Sequence, residues 1–160
     1  MAYSFERKTD GVDDVMAQDI NELQAAIEEQ GAAIETLGTQ SKSISIFFPA
    51  PVVGDGAYYF DIPEEMNLWE LTDVHAHAIT APTGGLVTIQ IRNVTDAVDA
   101  LSTPLTIDAD EHDSNTAATP FVINTATDDV ATDDIWAIDF DTVNGAEKVI
   151  VRLTFTGDLS

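Results

Sequence analysis

The chain has 160 residues, no cysteine, and 29 acidic against 6 Lys and Arg side chains, for a formal net charge of -23. Without thiols it can form no disulfide, thiolate metal site or cysteine nucleophile; so much negative charge repels phosphate backbones and anionic lipid, setting nucleic-acid and membrane-surface roles aside. Hydrophobic residues still make up 44%, so a folded core is expected rather than an acidic disordered tail.

The opening stretch MAYSFERKTDGVDD has no basic start followed by an apolar run. No later window approaches the roughly 18 apolar residues of a membrane span. Neither a signal peptide nor membrane insertion is expected. Asp10 or Asp13 can cap a helix beginning near Val12, and the spacing predicts helix from about residue 13 to residue 37. Along it, Met16, Ile20, Leu23, Ile27, Gln30, Ile34 and Leu37 recur at alternating steps of four and three. That is a narrow coiled-coil seam, flanked by Ala, Gln and Asp, rather than the broad apolar face of a helix lying on a globular core. One such helix cannot cover its own seam. Self-association is the simplest solution, with packing against the chain's own β-domain as the alternative; Gln30 at a d position and Gly31 leave the number of chains open.

From Ser43 the period changes to two. SISIFF, AYYFDI, LWELTDVHAHAIT, GLVTIQIRNV, LTID, PFVIN, DIWAIDFD and KVIVRLTFT make about eight strands. Turn chemistry separates them at GDG, PTGG, DADEHDSN, TDDVATDD and NGAE, with no helical pattern between. The expected organisation is therefore a mainly β protein: residues 1-42 an oligomerising segment, residues 43-160 an antiparallel, jelly-roll-like β-sandwich. Its core should draw on Phe48, Phe60, Val74, Ala76, Val87, Ile89, Ile91, Phe121, Ile123, Trp136, Ile138, Phe140, Val149, Val151, Leu153 and Phe155. Lys42, Arg92, Lys148 and Arg152 fall on sheet faces or near the junction, where they can pair with Asp139 or Asp141 or simply be solvated.

Candidate chemistry is sparse. His75 and His77 flank Ala76 and project from one strand face with Asp73 two residues earlier, a spacing that zinc can use. No third or fourth ligand is spaced with them, so exposed or interface histidines without metal are the preferred reading. Asp108, Asp110, Glu111 and Asp113 offer oxygen ligands of the kind calcium takes, but without an EF-hand's glycine or terminal Glu; a solvated acidic loop is preferred, and the same holds for Asp128, Asp129, Asp133 and Asp134. No cofactor beyond that Ca²⁺ alternative is expected. Nucleophile elbow, P-loop and dinucleotide fingerprint are all missing, and an enzyme is not expected. Tyr58, Tyr59 and Trp69 are candidates for stacking on a sugar, although Trp69 lies beside Leu68 and Leu71 and can equally be core.

YSFERKTDGVDDVMAQDINELQAAIEEQ resembles the N-terminal segment of tailed-virus fibre and spike proteins, with Gly11, Val12, Ala17, Ile20, Asn21, Leu23, Gln24, Ala26 and Ile27 at the matching positions. The stretches FDIPEEMNLWELTDVHAHAITAPTGGLVTIQIRNVTDAVDALSTPLTID and DDIWAIDFDTV resemble small virion fibre heads. The resemblance implies a homotrimer on the exterior of the particle, attached to other virion proteins through its N-terminal segment, with a head that contacts a host-surface glycan or protein or decorates the capsid. The stalk is unusually short, which suits a head fibre or turret as well as a tail fibre. A stand-alone carbohydrate-binding module and a capsid cement protein without receptor role are the alternatives. The Asp-rich, Lys-poor composition resembles that of proteins from salt-loving microbes, so a halophilic host is expected.

Overall fold

The computed structural model describes residues 22–28 and 38–158 and divides the chain into two units, Met1–Gly38 and Thr39–Ser160. In the first unit, residues 22–28 are helical and exposed. Leu23 and Ile27, one turn apart, are 63% and 60% exposed. The other seam residues, Met16, Ile20, Gln30, Ile34 and Leu37, lie outside the described residues.

The second unit is mainly β and its named strand pairings are antiparallel. β1 (Thr39–Phe48), β10 (Glu147–Asp158) and β3 (Glu70–Thr80) form one sheet in the order β1-β10-β3. A second sheet has the order β2-β9-β4-β5, from β2 (Gly54–Asp61), β9 (Ile135–Thr142), β4 (Val87–Asn93) and β5 (Val98–Asp99); β7 (Leu105–Ile107) also pairs with β4. The short strands β6 (Leu101–Thr103) and β8 (Val122–Ile123) form a two-stranded sheet. β1 starts four residues before the expected boundary at Ser43. Its first residues, Thr39 to Lys42, are polar and give no alternating signal, but β10 runs on to Asp158 and pairs with them throughout.

The two larger sheets close on one core. Alternation puts Ile46 and Phe48 of β1, Val74, Ala76 and Ala78 of β3, and Val149, Val151, Leu153 and Phe155 of β10 against Ile89, Ile91, Trp136, Ile138 and Phe140 of the facing sheet. Edge-to-face contacts tie the layers together, Phe48 on Phe140 at 4.9 Å and Trp136 on Phe155 at 5.7 Å between ring centres. Phe60, Phe121 and Ile123, expected in the core, only half enter it. The connection from β9 to β10, strands that belong to different sheets, turns at Asn144 and Gly145, both at positive φ (47° and 80°). Asn and Gly accept that conformation with little strain.

Two loops cover the open edge of β3. The amide N–H groups of Leu71 and Ala78 donate to the carbonyls of Asp128 (2.9 Å) and His112 (2.8 Å). Between them, Ala76 N–H donates to Ser114 Oγ at 2.9 Å. This corrects the expectation that all of Asp128, Asp129, Asp133 and Asp134 are solvated, because Asp128 and Asp134 are each 7% exposed. The Asp134 carboxylate holds its loop closed, accepting from Asn93 Nδ2 (3.1 Å) and from Ala131 N–H (3.0 Å). Burial, with Asp129 alongside, pushes the Asp128 carboxyl up from the ordinary value.

Candidate functional site

The outer faces of the two sheets differ in character. On the five-stranded sheet, Arg92 of β4 faces Asp139 of β9, with Nε 2.8 Å from Oδ2 and the Asp139 side chain only 5% exposed. The hydrogen bond to Asp139 raises the guanidinium above its usual value, against a smaller opposing effect of burial and with Asp55 and Tyr59 nearby. Asp99 is Arg92's registered neighbour on β5. Asp141, farther along β9, is pushed up by burial and then by Asp139, Asp55 and Asp99. Carboxylates gather here around one cation. Of the pairings expected for the basic residues, Arg92 takes Asp139, while Lys42 takes Glu65 at 3.1 Å and Arg152 lies 3.9 Å from Asp73.

The outer face of the three-stranded sheet is built differently. The register lines up Phe47, Ile150 and His77 in one row, Ser45, Arg152 and His75 in the next, and Ser43, Thr154 and Asp73 in a third. Hydroxyls bond across it, Ser43 Oγ to Thr154 Oγ1 at 3.0 Å and Thr72 Oγ1 to Thr156 Oγ1 at 2.9 Å.

At the covered edge of this face all three histidines of the chain come together. His75 Nε2 lies 3.0 Å from Asp113 Oδ1, and His77 Nδ1 lies 3.6 Å from Asp113 Oδ2. His112 stacks on His77 with ring centres 6.2 Å apart and donates from Nδ1 to the Ala78 carbonyl at 2.7 Å. Asp113 also caps the 3₁₀ turn Ser114–Thr116 by accepting from Asn115 N–H at 2.8 Å. That backbone bond, and next in order among the lowering effects the bond to His75, holds the Asp113 carboxyl below the ordinary carboxylate value. A carboxylate shared by two imidazoles orients both rings and presents groups that exchange protons and bond to polar partners.

His75 and His77 were legible as a pair; that His112 and Asp113 join them was not, because these arrive from 35 or more residues away. The one local hint was Asp-Ser-Asn-Thr, a capping pattern that marks Asp113 as a loop anchor. Among the described residues no group of three or more His, Asp or Glu side chains is placed to hold a metal ion. The acids of the 108–113 loop serve the loop itself: Asp108 accepts from Ala118 N–H at 2.8 Å, Glu111 accepts from the Thr116 hydroxyl, and Asp110 sits at φ 64°.

The expected sugar-stacking set does not assemble. Trp69 is 2% exposed; its indole N–H donates to the Asp158 carbonyl at 3.2 Å, and Lys42 Nζ lies 5.6 Å from the ring centre. The ring fits because Gly157 has no side chain, since a Cβ there would lie 2.2 Å from the indole. Tyr58 and Tyr59 are 43% and 54% exposed, but as neighbours on β2 they point to opposite faces. A hollow of about 290 Å³ lies beside β2, lined by Phe48, Pro51, Val52, Val53 and Asp55 among others. No protein-family model matches the chain, and no curated protein matches it.

Proposed function

We propose that this chain is a structural virion protein, a homotrimeric spike or head fibre in which a coiled-coil stalk registers three jelly-roll-like heads on the particle exterior. The observation that carries the proposal is the exposure of Leu23 and Ile27, 63% and 60%, on one side of a helical segment. Covering a Leu or Ile side chain contributes about 1.5–3 kcal/mol, and other copies of the same seam cover it most simply. The likeness of residues 3 to 30 to fibre and spike segments supports the virion role. A three-headed particle protein gains avidity from weak contacts and needs no catalytic centre. Attachment would run through the N-terminal segment, and the heads would contact a host-surface glycan or protein or decorate the capsid. The carbohydrate-binding alternative is weakened by the burial of Trp69.

Immunogold electron microscopy tests the virion role. Antibody against residues 39–160 should label the outside of intact particles whose genome encodes the chain. Labelling only after particles are disrupted, or none, would overturn it.

A further inference from the structure

We propose that the outer face of the three-stranded sheet, centred on Phe47, Ile150 and Arg152, is where the heads of neighbouring copies meet one another. The inference rests on the homotrimer proposed above and adds to it which surface the heads share.

Charge carries the first part of the argument. Chains of net charge -23 repel, so copies can approach closely only through surface that lacks unpaired carboxylate. The nine positions of the three registered rows hold one acid, Asp73, and one base, Arg152, 3.9 Å apart. At the margin, Asp113 is shared by His75 and His77. The outer face of the other sheet cannot serve in the same way, because Asp55, Asp99 and Asp139 lie around Arg92 there, with Asp141 beside those acids, and a second copy would have to desolvate them without new cations. Nor does it complement the first face, whose exposed side chains are largely apolar and hydroxyl.

Exposed apolar surface is the second part. Phe47 is 54% exposed, its registered neighbour Ile150 is 37% exposed, and Ile79, two residues beyond His77 on β3, is 55% exposed. The three residues share one end of a face whose other rows bear hydroxyls able to bond across a contact. Aromatic and aliphatic anchors inside a polar surround are the usual make-up of an interface core.

The edges supply the third part. Loops cover the β3 edge, but no described strand pairs with the outer edge of β1, which is ten residues long. A long, bare edge strand is a surface that proteins cover or blunt, and a neighbouring copy seated on this face would shield it.

The absence of cysteine allows a direct test on the full chain. Ser45 and Ser43 lie exposed on the proposed face, and Asp61 lies exposed on the other sheet. Full-length Ser45→Cys, Ser43→Cys and Asp61→Cys variants are labelled with pyrene maleimide, and solution mass and excimer emission are read on the same samples. The expected result is a trimeric mass for all three, with excimer emission from the Ser45→Cys and Ser43→Cys samples and none from Asp61→Cys. A trimeric mass without excimer emission from either serine position, or with emission from Asp61→Cys alone, overturns this face while leaving the trimer standing. A monomeric unmodified chain overturns the homotrimer, and this inference with it.

Discussion

Asp139 shows how this acidic protein tolerates charge inside its surface. At 4% exposed it is nearly dry, yet it accepts from Arg92 and from the Gly56 amide. Removing one partner of a buried pair leaves the other charge uncompensated, so Arg92→Ala should lower unfolding stability by about 3 kcal/mol in urea titration; a change below about 1 kcal/mol would show that water already screens the pair. Shifted carboxyls set the response to pH. Asp128 and Asp141 have folded-state values raised by burial, so the folded protein binds protons there before the unfolded chain does. Stability should therefore rise as pH falls from 7 through those raised values toward the ordinary carboxylate value of about 4. Asp113 has the opposite sign: its lowered value means that its contribution, present above about 4, is lost as pH falls further through the folded-state value. A melting profile with its maximum on the acidic side of neutrality is the expected outcome, and a monotonic fall from pH 7 would contradict the assignment.

At the scale of elements, period-two alternation made the long strands legible, since Val87, Ile89 and Ile91 of β4 and Val149 to Phe155 of β10 each turn one side to the core. The sequence signal failed where backbone, not side-chain pattern, decides. β5 and β6 are two and three residues long and gain their order from neighbours. Leu68, at φ 63° and 78% exposed, breaks the alternation just before Trp69, which left the indole readable either as core or as a surface ring. The His–Asp cluster depends on a loop docking against β3 from far along the chain, a non-local pairing that no local window reveals. The seam is the element most open to test. Leu23→Asp with Ile27→Asp in the full chain should reduce the sedimenting species from an assembly to single chains; an unchanged assembly would assign association to the heads instead.

Across the whole molecule, a charge of -23 makes self-repulsion the term most sensitive to salt. Salt shortens the screening length from about 8 Å at physiological strength to about 3 Å at 1 M, relieving repulsion within each head and between copies. Melting temperature should rise steadily from low to multimolar sodium chloride, and a protein equally stable without salt would remove the halophilic expectation. A trimer compounds the repulsion, so the same salt should favour assembly. The central claim is that this chain works as three copies joined through its seam. Its most direct test is the light-scattering mass of the unmodified full chain in molar salt over a wide range of protein concentration: a mass of three chains is the predicted result, and a single-chain mass throughout would contradict the account.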